Sequence, residues 1–289
     1  MNSDRTEQPS NDEGTEDRSQ AAFNLFCKWY VSITYRELGT VEARLAKPIP
    51  RVASAFVLKI AGRWLLFTAG HLIQGLKHRM SQGTLYDGWE INDAAAGGGY
   101  PPIPFAPEFE RWTAIDDRDV GVDLAFVPLH PIYARQLHAA GITPPDSVWW
   151  LNETPHECSP WLIFGTPEET IQQLPSGKVL FCPTMLPVEP LKEIPTNVLA
   201  ADAVLGKNLI FARVVDLPMK GTVKAVRNLD GMSGGPVIGV REPGDPDAEH
   251  SKLHIVGIQS GWLPNSRIAT IYPLRGVLEV IEAHLQKEG

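Results

Sequence analysis

Cysteine is scarce in this chain: Cys27, Cys158 and Cys182 are the three in 289 residues. An odd, widely spaced set does not make a disulfide framework and fits reduced, mostly buried thiols. Long apolar runs are missing as well. No stretch approaches the roughly 18 residues of a membrane span, and the first residues have neither the basic start nor the apolar core of a signal peptide. A surplus of positive charge is the third absence. The formal net charge is −8, and Asp4, Glu7, Asp12, Glu13, Glu16 and Asp17 outweigh Arg5 and Arg18 in the first 20 residues. About half of the negative excess therefore sits in that short stretch, and neither part of the chain offers the basic field that a phosphate backbone requires. The resulting expectation is a cytoplasmic protein with no nucleic-acid or membrane partner. Oligomeric state is not legible.

What the chain does have is a core. Its apolar fraction of 43% suffices for one large domain or two small ones. Residues 1–22 stand apart as an acidic tail too poor in apolar side chains to offset the entropy of ordering, and are expected to be disordered. Within Phe23 to Glu37, the alternation of Trp29, Val31, Ile33 and Tyr35 predicts a half-buried strand. Ala55 to Phe67 reads as a hairpin turning at Gly62. Residues 78–118, with Gly97, Gly98, Gly99, Pro101, Pro102, Pro104 and Pro107, read as a loop. Around Pro144, Pro145 and Asp146 a linker is expected, with strands resuming at Ser147 to Leu151. Further strand-like runs follow at Trp161 to Pro167, Lys178 to Cys182, Asn208 to Val215, Thr222 to Val226 and Leu253 to Trp262, a spacing that suits an antiparallel barrel. Val277, Leu278, Ile281 and Leu285 share one face of a terminal helix over Leu274 to Lys287.

The stretch from Leu229 to Ile238 places a serine among three glycines and then returns to a strand. Gly231, Gly234 and Gly235 permit backbone torsions closed to other residues and close approach of a substrate carbonyl. A serine hydroxyl is a weak nucleophile at neutral pH and requires a histidine base oriented by a carboxylate. His71 ends the hairpin, and Asp123 opens the apolar run Val122 to Leu129. In the order FTAGH, VDLAFV and GMSGGPV, these three segments resemble the signatures of the trypsin-like, chymotrypsin-fold serine peptidases, and the resemblance covers roughly residues 50 to 275.

It implies an all-β chain of two antiparallel six-stranded barrels with a short C-terminal helix: a first barrel over 23–143 carrying His71, a single helical turn over Leu72 to Leu76 and Asp123, and a second over 144–289 carrying Ser233. It implies a serine endopeptidase acting on protein or peptide substrates through an acyl-enzyme, with the backbone amides of Gly231 and Ser233 as oxyanion hole and no cofactor. Asn228, Ser260, Gly261 and Trp262 would border the substrate cleft. Two features depart from the secreted members of that family, which commonly carry disulfides and usually have, at the position of Met232, an aspartate that pairs with a newly cut N-terminus.

Other chemistries fit less well. GxSxG also marks the nucleophile elbow of α/β-hydrolase esterases, but that elbow leads into a helix, whereas Pro236 to Val240 continues as a strand. A protease fold kept only as a binding module is a further alternative, opposed by the presence of all three triad residue types. The triple glycine has no strand before it and no Lys-Ser/Thr after it to make a phosphate cradle. His156, Glu157 and Cys158 lack a second cluster at ligand spacing, and Asp245, Asp247 and Glu249 lack the glycine and closing glutamate of a calcium loop, so no metal is expected.

Arg227 supplies a prediction about substrate choice. In the resembled family the residue six before the nucleophile lines the base of the primary specificity pocket. An inward guanidinium there would repel an incoming cation and pair bidentately with a carboxylate. Lysine and arginine are then rejected just before the cut bond, and aspartate or glutamate favoured. An outward Arg227 would instead leave a pocket shaped by Asn228, Ser260 and Trp262. A fluorogenic library varied at that position decides between them: a preference for basic residues, or no change on Arg227→Ala, contradicts the inward arrangement.

Overall fold

The computed structural model describes residues 23–93, 101–117, 121–149, 161–174, 179–193, 208–215, 228–240 and 253–287. The acidic tail, the triple glycine, Thr222 to Val226, Arg227, the 156–158 cluster with Cys158, and the 245–249 acids lie outside them. Two antiparallel β units make up the described chain. The first is a seven-stranded sheet of β1 (Tyr30–Thr40), β2 (Arg44–Ile60), β3 (Arg63–Thr68), β4 (Thr84–Asn92), β5 (Ile103–Pro104), β6 (Thr113–Asp117) and β7 (Val122–Pro128). Their order is β5-β4-β1-β2-β3-β7-β6. The second unit uses β8 (Trp161–Gly165), then β11 (Thr184–Pro190), β12 (Ile210–Val214), β13 (Pro236–Val240), β14 (Leu253–Leu263) and β15 (Ile268–Pro273). These six close into a barrel in the order β11-β12-β15-β14-β13-β8. A small ladder of β9 (Gln172–Gln173) and β10 (Val179–Leu180) lies between β8 and β11 in the chain. Helices α1 (Gly70–Ser81), α2 (Pro131–Ala139) and α3 (Arg275–Lys287) complete the regular elements. The all-β class, a closed six-stranded second barrel and the terminal helix are as expected from the sequence, whereas the first unit, expected as a six-stranded barrel, is a seven-stranded sheet to which the short β5 adds along β4.

Several local expectations are corrected. Residues 23–26 form a helical turn, and the strand starts at Tyr30. It is buried on both faces through Tyr35, because Val31, Ile33 and Tyr35 face one core while Tyr30 faces another that lies between the sheet and the barrel. The turn after His71 extends over 12 residues, with Ile73 and Leu76 buried three apart on the core side. β4 lies within the segment expected to be loop. Its Trp89 stacks on Tyr35 with ring centroids 4.4 Å apart. Ser147–Trp149 is a 3-10 turn rather than a resumed strand.

The core between the units is aromatic. Phe164 of β8 meets Phe23, Phe26 and Tyr30, with ring centroids at 5.3, 5.9 and 4.7 Å. Full burial of such side chains stabilises by roughly 1.5–3 kcal/mol each. Leu278, Ile281 and Leu285 of α3 close the same cluster. The first strand of the sheet is thereby packed against the barrel.

Candidate active site

His71 lies in the first turn of α1, directly after Gly70. A Cβ on Gly70 would sit 1.9 Å from the Ile115 carbonyl oxygen and 2.8 Å from the Leu124 nitrogen, so only glycine lets the helix begin in contact with β6 and β7. That contact brings His71 to Asp123. The His71 backbone N–H donates to Asp123 Oδ1 at 2.8 Å, and Nδ1 lies 2.7 Å from Oδ2. A carboxylate only accepts, so a neutral imidazole in this contact carries its proton on Nδ1 and keeps the lone pair of Nε2, the form a general base requires. The His71 side chain is 36% exposed and that of Asp123 13% exposed, an accessible ring on a sheltered acid. Asp116 pairs with Asp123 across the β6–β7 ladder, next to Asp117. Asp123 alone of the three is buried.

The serine turn is seated against the same region. Gly231 and Gly234 have φ of 87° and 93°, torsions open to glycine but strained for residues with a side chain. At Gly234 a Cβ would meet Thr68 Oγ1 at 2.3 Å, the Ser54 carbonyl oxygen at 2.4 Å and the Ala69 nitrogen at 2.9 Å. The residue after Ser233 therefore packs on the segment that leads into His71. Four backbone bonds hold the turn. Met232 N–H donates to Leu229 O, Gly235 N–H to Met232 O, Gly234 N–H to Gln259 O and Gln259 N–H to Gly235 O, each at 2.9 Å. Ser233 itself stays partly exposed while Met232 is fully buried among Leu229, Trp161 and Val237.

The remaining site residues are placed as follows. Glu168 N–H donates to Asp230 O at 2.7 Å. In a planar trans peptide this turns the Gly231 N–H away from the Thr166–Glu168 turn. Asn228 is engaged with Asp230: its Oδ1 accepts from the Asp230 N–H at 3.1 Å, and its amide donates to the Asp230 carboxylate. It shapes the turn rather than presenting a free amide. Ser260 Oγ lies 3.2 Å from Thr270 Oγ1, Gly261 O accepts from Gln259 Nε2 at 2.8 Å, and Trp262 is partly buried against the barrel core. Sequence reading missed Ser54, Glu168 and Gln259, which bond the serine turn from distant parts of the chain, and Thr166, which bonds Ser54; such contacts leave no local pattern.

The two described thiols are Cys27 and Cys182. Cys27 is in the core, and burial pushes its thiol up to about 11. Cys182 is exposed, against the expectation of burial; it follows β10 in a segment that ends at β11, where its backbone N–H bonds Thr170 Oγ1. Among the described residues no group of three or more His, Cys, Asp or Glu could hold a metal ion, and no helix is long and apolar enough to cross a membrane.

No family model and no curated protein matches the sequence. Solved structures do match. The chain is similar to a thermostable serine protease, AL20, from an extremophilic microorganism, at 14% identity over 90% of this chain and 98% of that one, with a TM-score of 0.42. It is similar to a scabies mite inactivated protease paralogue at 12% identity, over 91% of this chain and 96% of that one, with a TM-score of 0.47. A protease, Anisep, from Arthrobacter nicotinovorans matches at 17% identity, over 85% and 90%, with a TM-score of 0.39.

Proposed function

We propose that the chain is a serine endopeptidase that hydrolyses peptide bonds of protein substrates. The observation that carries this reading is the two-point contact of His71 with Asp123, through Nδ1 at 2.7 Å and the backbone N–H at 2.8 Å. In the reaction, Ser233 Oγ attacks the scissile carbonyl as its proton passes to His71 Nε2. The tetrahedral adduct holds its negative oxygen against the Gly231 and Ser233 amides. It collapses as His71 returns the proton to the leaving amine, and the acyl-enzyme remains. Water then repeats the sequence and frees Ser233. Asp123 keeps the imidazole in its working tautomer and stabilises the charged form. The amides contribute about 3–4 kcal/mol to the barrier reduction in comparable sites. The division at residues 143 and 144 assigns the base and acid to one half of the chain and the nucleophile to the other. An exposed free thiol at Cys182 favours a reducing, cytoplasmic compartment.

The test is to incubate the purified protein and its Ser233→Ala form with a proteome and map new N-termini. Cleavages made by the wild type and lost in the variant support the reading, and identical maps contradict it. Met232 adds a prediction. Its fully buried thioether cannot receive an ammonium group, so the enzyme needs no cut N-terminus and removing residues 1–20 leaves peptide hydrolysis unchanged. An inactive full-length form that becomes active only after a cut before Phe23 would overturn this.

A further inference from the structure

Four hydroxyls from distant parts of the chain meet between the sheet and the barrel: Tyr30 and Ser32 of β1, Ser54 of β2, and Thr166 just after β8. Each belongs to a residue no more than 1% exposed. Their donors and acceptors assign themselves. Ser54 Oγ lies 2.9 Å from the Thr166 backbone N–H, which only donates, and 3.2 Å from Tyr30 OH, which donates to it. With both acceptor positions filled, its single proton goes to the Gly231 carbonyl oxygen at 2.8 Å. Tyr30 OH is filled in the same way. It accepts from Ser32 Oγ at 3.1 Å and, with its own proton committed to Ser54, accepts from Thr166 Oγ1 at 2.7 Å. The result is a one-way chain of hydroxyls, each polarising the next, that ends on the peptide following Gly231. The peptide preceding Gly231 is held separately by the Glu168 N–H on Asp230 O.

Gly231 is thus bracketed on both sides. Its peptides are clamped while its φ stays at 87°. A side chain is excluded, because a Cβ would lie 2.8 Å from both the Glu168 nitrogen and the Thr166 oxygen. Arg51 braces the same turn from β2, bonding Glu37 at 3.0 Å and Glu168 at 3.1 Å.

We infer that Ser54 is a positioning residue for the oxyanion-binding amide: through the Gly231 carbonyl it presets the backbone that the buried Met232 cannot tie to a charged N-terminus. This rests on the peptidase reading above. Ser54 touches no substrate, and its effect is on how ready the Gly231 amide is when the oxyanion forms.

The experiment measures steady-state hydrolysis of a peptide anilide, the pH profile of kcat/KM, and residue-resolved amide exchange in the full chain and its variants. Ser54→Ala is expected to lower kcat about 10- to 100-fold, less than loss of an oxyanion donor itself, with KM within about twofold. The midpoints of the pH profile should stay in place, and exchange should quicken over 229–235 alone. Ser54→Thr keeps the hydroxyl and is expected to return kcat to within about fivefold of wild type. Tyr30→Phe leaves the Ser54 proton on Gly231 and should cost about threefold or less. Wild-type kcat in Ser54→Ala, a threonine variant as slow as the alanine one, or exchange quickened throughout the molecule would each overturn the assignment. If the wild type hydrolyses nothing, the peptidase reading fails, and the exchange arm still decides the bracket: faster exchange confined to 229–235 in Ser54→Ala keeps it, and unchanged exchange removes it.

Discussion

Ser233→Ala, His71→Ala and Asp123→Asn are each expected to remove nearly all peptide hydrolysis, on the order of 10⁴-fold in kcat, while the fold stays intact. The reasons differ by residue. Without Ser233 there is no atom to form the acyl bond. Without His71 the serine keeps its proton. Asp123→Asn retains the shape of the acid but replaces one acceptor by an NH₂ group that cannot accept from both the His71 backbone N–H at 2.8 Å and Nδ1 at 2.7 Å. The imidazole then settles into the tautomer whose Nε2 carries the proton and cannot take another. Because the three act as one unit, double variants should be scarcely slower than the slowest single one. Near wild-type turnover in any folded single variant removes that residue from the mechanism.

Gly234→Ala is expected to have the next largest effect, and it acts on the fold and the chemistry together. The added methyl has no space, with Thr68 Oγ1 at 2.3 Å, the Ser54 carbonyl oxygen at 2.4 Å and the Ala69 nitrogen at 2.9 Å from the Cβ position. Two of these atoms are backbone and cannot swing away. The φ of 93° adds strain that alanine does not relieve. The serine turn must lift from the segment leading into His71, and the nucleophile moves away from its base. Denaturant unfolding should show a loss of about 2–4 kcal/mol. The folded fraction should turn over at least about 100-fold more slowly. A variant with wild-type stability and kcat would mean that the turn does not rest on that segment.

How much of this was legible depends on the range of the interactions. The β2–β3 hairpin was readable because its two apolar runs and its turn at Gly62 are local, and Val57 pairs with Leu66 across that turn. The meeting of His71 with Asp123 was suggested by two segments that each carry a polar residue beside an apolar run. Helix α1 was read as shorter than it is, since Gly75 and the polar residues after it hide a helix whose burial rests on Ile73 and Leu76. β4 was lost among glycines and prolines. What holds it is aromatic stacking on Tyr35 from another strand. Ser54 illustrates the limit. Its partners Thr166 and Gly231 are 112 and 177 residues away, and no periodicity or spacing connects them. Only folding places a mid-strand serine against the Gly231 carbonyl.

The central claim is that Ser233 is a nucleophile activated by His71 held on Asp123. The most direct measurement is reaction of the purified full chain with a serine-directed fluorophosphonate, followed by intact mass and peptide mapping. The account predicts one adduct per chain, on Ser233, formed rapidly in the wild type and at a rate near that of a free serine in His71→Ala. No adduct on the folded wild type, or equal labelling of Ser233 with and without His71, would contradict it.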